Sequence, residues 1–449
     1  MKKVFSKLTT THVILLSFLL AVLVGAGLLC LPVSAADGTA TPFVDALFTA
    51  TTSVCVTGLV VVPTVSSWSI FGQVVILLLI QVGGLGIITV VSCLMLMVQK
   101  HIGLGESLLL QDAFNLNSLS GLARFVRRVV LGTLVVEGVG ALLYMAVFIP
   151  QFGLRGIWIS VFNAVSAFCN AGIDIIGETS LSAYVGHPLV NGVTCGLIIL
   201  GSMGFPVWWD VLRVLRLKKH RRFRFLTLHS KLALSATAVL LVAGTALILL
   251  FEYHNPQTME GLPLWHKLQA AFFQSVTTRT AGFFTLPQEN LTNDSSIVCL
   301  LLMFIGGSPV GTAGGVKTVT FAVLLGAAFA SIRNRQDVNF FQRRVSSRTV
   351  SKALAVVAMS SMILFVSTVL LAAVTDASAI DLLYETVSAT ATVGLSRNLT
   401  STLGVAGKWI LITTMYLGRV GPISLAVAFR VRKKDPNVVR DPEEEISVG

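Results

Sequence analysis

The stretch Ser388-Ala389-Thr390-Ala391-Thr392-Val393-Gly394-Leu395 runs small and hydroxyl residues into a single glycine and then a large apolar residue. Three other stretches repeat the pattern: Thr51-Thr52-Ser53-Val54-Cys55-Val56-Thr57-Gly58-Leu59, Ser166-Ala167-Phe168-Cys169-Asn170-Ala171-Gly172-Ile173 and Thr277-Thr278-Arg279-Thr280-Ala281-Gly282-Phe283. Their glycines stand 114, 110 and 112 residues apart. Ten residues before each glycine is an aromatic side chain: Phe48, Phe162, Phe272 and Tyr384. Two marks at one offset, four times over, predict an internal repeat of roughly 110 residues, too long for a solenoid of small repeats. Each unit should therefore be a sizeable module.

Composition says where those modules sit. Of 449 residues, 54% are hydrophobic and 12% charged, half the roughly 25% charge of soluble proteins. Several apolar runs approach the ~20 residues needed to span a bilayer. The net charge of +12 comes from basic residues, 26 of the 33 lying in five groups: the N-terminus, 100–128, 213–231, 333–352 and 430–440. Acidic residues fall mostly between those groups. The positive-inside rule then places the groups and both termini in the cytoplasm, so membrane topology explains the charge and no nucleic-acid partner is expected. The six cysteines stand singly with no CxxC spacing or histidine cluster, which predicts buried free thiols. No paired acid, nucleophile or metal cluster appears at one depth, so an enzyme is not expected.

Each unit follows one plan. A spanning helix comes first, at 13–33, 129–149, 232–251 and 353–374. The run at 13–33 exceeds the ~7–15 residues of a signal-peptide core and reads as a retained helix. A short segment follows, at 43–53, 156–167, 265–277 and 380–390, long enough to reach about halfway through a ~30 Å core. After the glycine stretch comes a second hydrophobic segment, at 71–98, 189–212, 296–330 and 406–429. The expected fold is an all-α membrane protein: four tandem helix–half-helix–filter–helix units, eight spanning helices and four re-entrant loops around a central pore. Unit boundaries are expected at 1–100, 101–219, 220–335 and 336–449. Re-entrant backbone is tolerated only where protein or a water-filled cavity receives its polar groups, and four such loops can receive each other around one axis.

A cation that loses its water needs a dense set of replacement oxygens. Converging loops supply them as rings of backbone carbonyls, helped by the partial negative charge at each half-helix C-terminus. Glycine lets the strand take positive φ and turn its carbonyls inward. The candidate filter is Val56-Thr57-Gly58, Asn170-Ala171-Gly172, Thr280-Ala281-Gly282 and Thr392-Val393-Gly394, with hydroxyls from Thr57, Thr280, Thr390 and Thr392.

A second alignment follows each filter glycine by 24–29 residues: Gly83-Gly84-Leu85-Gly86, Gly201-Ser202-Met203-Gly204, Gly306-Gly307-Ser308-Pro309 and Gly418-Arg419-Val420-Gly421. In units one, two and four this reads as kinked, closely packed helices. Unit three continues with Val310-Gly311-Thr312-Ala313-Gly314-Gly315, too small and glycine-rich for a stable helix, and reads as a gate loop below the filter. Lys317 anchors that loop or reaches the cytoplasmic surface. Arg419, costly at the membrane core, is expected either to hold the loop through its carbonyls or to form a structural ion pair, with Glu137 a candidate partner. Arg279 is placed behind the filter as a brace. Glu289, Asp294 and Glu385 read as braces or outer charges.

The repeated unit resembles the Trk/Ktr/HKT superfamily of potassium transporters. Within it, Ser-Val-Thr-Thr-Arg-Thr-Ala-Gly-Phe (275–283) and Gly-Gly-Ser-Pro-Val-Gly-Thr-Ala-Gly-Gly-Val-Lys-Thr (306–318) resemble the membrane subunit of bacterial Ktr systems. The resemblance implies potassium uptake across a bacterial cell membrane, the 306–315 stretch as gate, a homodimer, and a cytosolic ring of nucleotide-binding regulatory subunits. It also implies potassium preference, because Gly58 stands where sodium-preferring plant relatives carry serine, with sodium a candidate activator. No loop has the full Thr-Val-Gly-Tyr-Gly run of potassium channels, so discrimination against sodium should be looser. No Walker A or GxGxxG fingerprint is present, so no cofactor is expected on this chain and nucleotide control would come through the partner. The basic segments 213–231 and 331–352, with Phe223, Phe225, Phe340 and Phe341, suit lipid headgroups or a docked partner. Two other readings stand: a less selective potassium/sodium uniporter, and a secondary symporter, which would show mirrored repeats where these units all run in one direction.

Overall fold

The computed structural model describes residues 10–86, 89, 122–217 and 222–421. The first unit contains α1 (Thr10–Leu29), α2 (Phe43–Cys55) and α3 (Ile70–Leu85). The second contains α4 (Leu122–Phe152), α5 (Arg155–Cys169), α6 (Pro188–Ser202) and α7 (Phe205–Leu215). The third contains α8 (Leu228–Glu252), α9 (Leu264–Thr277), α10 (Asn293–Phe304) and α11 (Thr318–Ile332). The fourth contains α12 (Ser347–Val374), α13 (Ala379–Ala391) and α14 (Val405–Val420).

Among the described residues α1, α4, α8 and α12 are long and apolar enough to cross a membrane, and the bent pair α6–α7 makes a fifth if taken as one span. Leu20, Leu142, Leu250 and Phe365 stand outward on the four long helices, each at least 63% exposed. A surface of that kind is solvated by lipid rather than water. This is an all-α, multi-pass membrane fold. The second segments are not continuous helices. α3 ends at Gly86, α6 and α7 meet at 101°, residues 305–317 separate α10 from α11, and α14 ends at Gly421. The later parts of the expected segments 71–98 and 406–429, residues 100–121 of the basic group at 100–128, the first nine residues and the C-terminal tail lie outside the described residues.

The units close into a ring. The second helix of each packs on the half-helix of the next: α3 on α5, α6 on α9, α10 on α13, and α14 back on α2. Polar contacts mark the seams. Trp158 Nε1 donates to Gln73 Oε1 at 2.8 Å between units two and one. Tyr384 donates to Gln288 Oε1 at 2.8 Å between units four and three. Lys408 Nζ meets Asp45 Oδ1 at 2.5 Å, and Tyr416 donates to the Leu15 carbonyl at 2.7 Å, joining unit four to unit one.

The half-helices carry the core. Phe48, Phe162 and Tyr384 are fully buried, but the third member of the set is Phe273 rather than Phe272, which is 38% exposed. The reason lies in the turn that ends each half-helix. The amide just before the filter glycine reaches back five residues in units one, two and four (Thr57 to Thr52, Ala171 to Ser166, Val393 to Ser388) but four in unit three (Ala281 to Thr277). Unit three is one residue shorter there, so its buried aromatic stands nine residues before the glycine.

A hairpin not foreseen from sequence, β1 (Val338–Phe340) and β2 (Arg343–Val345), joins α11 to α12. Its turn residues Phe341 and Gln342 both take positive φ, 47° and 63°, the geometry of a type I′ turn. Phe340 packs in a small cluster with Val323 and Val345, whereas Phe341 is exposed against Phe223.

Candidate functional site

Two residues before each glycine the chain enters the left-handed region, at Val56 (φ 55°), Asn170 (60°), Thr280 (68°) and Thr392 (51°); in units one, two and four that residue is the C-cap of the half-helix, while in unit three the helix ends earlier, at Thr277. The glycines follow with φ of 97°, 65°, 84° and 95°. Two positive-φ residues separated by one turn the chain back on itself, and for a β-branched residue such as Val56 or Thr392 the conformation is strained. The strain is held by hydroxyl hooks that sequence reading missed. The Gly58 amide donates to Thr52 Oγ1 at 2.9 Å and the Gly394 amide to Ser388 Oγ at 3.0 Å. Ser166 donates to the Ile173 carbonyl, and Thr277 to that of Phe283. A serine or threonine at the shared helix position is the sequence signal for these hooks, and only the shorter turn of unit three disguises it.

The four glycines meet in a cycle. A Cβ placed on Gly58 would lie 2.5 Å from the Ala171 carbonyl oxygen, on Gly172 2.6 Å from that of Ala281, on Gly282 2.8 Å from that of Val393, and on Gly394 2.2 Å from that of Thr57. Each glycine thus faces the carbonyl of the next unit, and the last faces the first. The four glycines and Thr57, Ala171, Ala281 and Val393 are thus brought together, each pair preceded in the chain by Val56, Asn170, Thr280 or Thr392. The hydroxyls of Thr57, Thr390 and Thr392 are buried without a protein partner.

Below, Gly83, Gly201 and Gly418 seat second helices against the ends of half-helices. An added Cβ would lie about 2 Å from the carbonyl oxygens of Val54 (2.0 Å), Phe168 (1.9 Å) and Thr390 (2.2 Å). Each of those carbonyls belongs to the residue four before its filter glycine. Three residues on, Gly86, Gly204 and Gly421 take φ of 83°, 87° and 87°. Unit three departs here. Gly306 faces the carbonyl of Gly314 in its own loop.

The base of that loop is closed by backbone bonds, Gly306 to Val316 at 2.9 Å and Thr318 to Gly307 at 3.0 Å. Its middle docks on the break in unit two: the Ser308 amide donates to Ser202 O at 2.8 Å, Thr312 to Gly201 O at 3.1 Å, and Phe205 to Val310 O at 3.1 Å. Its far side touches the base of the filter. Thr312 Oγ1 donates to the Phe168 carbonyl at 3.0 Å, and the Gly314 amide to Thr280 Oγ1 at 3.1 Å. The fit at Gly314 leaves no room for a side chain, since a Cβ would sit 2.0 Å from Thr392 Oγ1.

Arg419 ties the loop to the remaining unit. Its guanidinium donates to the Thr312 carbonyl at 2.7 Å and to the Gly83 carbonyl of unit one. Among the described residues it forms no ion pair with Glu137, which instead accepts from Gln81 Nε2 at 3.2 Å and from the Cys169 thiol. Unpaired carbonyls at a broken helix suit a guanidinium without a carboxylate. Lys317 Nζ donates to Ala313 O at 2.6 Å, anchoring the loop within itself.

Behind the filter, Arg279 points toward α8, donating to Thr237 O at 3.4 Å. Glu385 accepts from Ser396 at 2.8 Å and from Thr400, and Gln274 and Gln288 exchange paired amide bonds. Arg397 was also missed. It pairs with Asp381 at 2.8 Å and donates to Gln288 O and Ser296 Oγ, clamping the outer loops of units three and four. Single polar residues in loops give no periodic signal, so sequence could not assign these contacts.

Comparison with known proteins gives concordant results. The family model TrkH, described as a cation transport protein, matches residues 6–440. The chain is 38% identical to the Ktr system potassium uptake protein B of Bacillus subtilis, over 99% of this chain and 97% of that one. It is 36% identical to the potassium/sodium uptake protein NtpJ of Enterococcus hirae, over 100% and 99%. The crystal structure of the potassium transporter TrkH from Vibrio parahaemolyticus superposes with a TM-score of 0.75 at 15% identity, covering 94% of this chain and 86% of that one.

Proposed function

The chain belongs to the TrkH family of cation transport proteins, and from that premise we propose that it is the ion-translocating membrane subunit of a potassium uptake system. One observation carries the reading: four glycines, each facing the next unit's carbonyl, with an intramembrane loop held against the underside of that ring. The carbonyls of Thr57, Ala171, Ala281 and Val393, with the free hydroxyls of Thr57, Thr390 and Thr392, replace the water of a potassium ion. Loop 306–315 blocks the path below, and Arg419 and Lys317 hold it shut by their bonds to its carbonyls. Arg419 also presents a positive charge to an approaching cation. Opening requires those bonds to break and the loop to leave the filter base. Potassium then moves down its electrochemical gradient, to which the membrane potential adds ~2.3 kcal/mol per charge per 100 mV.

The same premise extends to the setting. Four units with boundaries near 100, 219 and 335, eight crossings counting each broken second segment as one, and both termini in the cytoplasm complete the topology. The names of the Ktr relatives support a place in a multi-component system, in which a cytosolic nucleotide-binding ring opens the loop and the membrane subunit is a homodimer. The Enterococcus hirae relative's name, together with one glycine per filter loop, favours a second reading in which sodium also passes. The test is potassium influx into a bacterium lacking its own uptake systems, with and without sodium. Restored influx is expected; a chain that reaches the membrane and restores none overturns the proposal.

A further inference from the structure

The four left-handed residues before the ring glycines carry different side chains: Val56, Asn170, Thr280 and Thr392. Three of these side chains meet the loop of unit three. The Gly314 amide donates to Thr280 Oγ1 at 3.1 Å, and a Cβ on Gly314 would lie 2.0 Å from Thr392 Oγ1. Asn170 goes further, because its amide has two polar ends. Thr312 shares its hydroxyl proton between the Phe168 carbonyl at 3.0 Å and Asn170 Oδ1 at 3.3 Å. At the other end, Nδ2 donates to the Arg279 carbonyl at 3.4 Å, in the turn of unit three that leads to Gly282. A backbone carbonyl only accepts, and so decides which end of the amide faces it. Gly201 makes room for the meeting: an added Cβ there would lie 2.8 Å from Thr312 Oγ1 and 3.0 Å from Asn170 Oδ1. Asn170 and Thr312 are both fully buried.

Asparagine tolerates positive φ better than most residues, but Val56 and Thr392 hold the same conformation. Backbone geometry alone therefore does not call for an amide at 170. The bridge does. On one side stands Thr312, whose carbonyl also accepts from Arg419 at 2.7 Å; on the other stands the backbone of the ring. We propose that Asn170 couples these two levels. While loop 306–315 is seated, Thr312 holds the Asn170 side chain against the Arg279 carbonyl, and the ring binds potassium more weakly than after the loop has left. A carbonyl that already accepts an amide proton has less electron density to offer a cation, and a turn so held is less free to close on one. Departure of Thr312 releases the amide and with it the turn. By linkage, potassium in the ring favours departure of the loop to the same extent. The coupling rests on reading the glycine ring as the ion site and 306–315 as its gate.

Thermal stabilisation of the full chain in detergent by added potassium gives an apparent Kd without any flux. Asn170→Gly keeps the left-handed backbone at no steric cost and removes both ends of the bridge, and Thr312→Val removes only the hydroxyl. Each is expected to tighten the Kd about fivefold. The double variant should tighten it no further, as for two members of one contact. Thr312→Ser puts the hydroxyl back and should recover the wild-type value. Unchanged or weaker binding in either single variant, or shifts that multiply in the double, overturns the coupling. A shift that Thr312→Ser shares assigns the effect to packing and overturns it too. If Asn170→Gly does not fold, Asn170→Thr, which places the residue of units three and four there, must show the same tightening, and its absence is equally fatal. A wild-type chain that potassium does not stabilise at all sinks the ion-site reading and the coupling with it, whereas equal stabilisation of wild type and every variant sinks the coupling alone.

Discussion

Around the ring of glycines the four units do the same thing, each contributing a left-handed residue, a positive-φ glycine and a carbonyl turned to its neighbour. One level below they do not. Units one, two and four seat a glycine against a half-helix carbonyl and bend or end at a second glycine, while unit three inserts a loop that touches all the others, reaching unit one through Arg419. Coordination of a spherical ion benefits from equivalent donors on every side. Blocking a path requires only one element that can move, and a fourfold copy of it would not fit the same axis.

That contrast can be broken at several points. The largest effect is expected in the ring: Gly394→Ala places a methyl where 2.2 Å separates it from the Thr57 oxygen, and should reduce potassium flux about a hundredfold or more through strain and blockage. Gly404→Ala, with nothing within 4 Å of the added carbon, should leave flux near wild type. Equal loss in both variants would remove the ring from the ion path. Deleting Gly311 to Gly314 takes out the loop's contact with the filter base and should raise flux without a regulator about tenfold; a folded deletion variant that still needs its regulator would show that the block lies elsewhere.

Arg419→Ala removes two charge-assisted bonds worth ~1.5–3 kcal/mol each before compensation by water, and should raise basal flux several-fold. Lysine there cannot fork to two carbonyls, so Arg419→Lys should fall between wild type and alanine. Unfolding of both variants with no rise in flux would assign Arg419 a packing role only. The smallest effect on flux, but a large one on stability, tests the register of unit three. Phe273→Ala should destabilise by ~3–5 kcal/mol as a core truncation, and Phe272→Ala by much less, read as thermal melting in detergent. The reverse order would restore the ten-residue spacing in all units.

The ring of glycines was legible because its geometry makes demands that few residues meet. Positive φ at Gly58, Gly172, Gly282 and Gly394, and backbone contact at Gly83, Gly201 and Gly418, both require glycine, so the repeat survives in the sequence where packing residues vary. The loop was legible for the opposite reason, since Gly311 to Gly315 cannot sustain a membrane helix. Other features left no mark. The one-residue shortening before Thr280 is invisible when units are aligned on glycines, and it misassigned Phe272. The turn at Phe341-Gln342 lacks the Asn-Gly signature of its type. Arg419 was legible only as a choice between loop carbonyls and Glu137, and the structure takes the carbonyls of Thr312 and Gly83.

The seam between the last unit and the first has a consequence for how the protein is made. Lys408 and Asp45 are 363 residues apart in the chain, and Tyr416 and Leu15 are 401 apart. Until the ribosome has released α14, the helix that packs on α2 in the finished fold is not available to it. Assembly is therefore concluded by the final segment to arrive, and a chain that stops short of residue 405 loses not a quarter of the molecule but the closure of the whole.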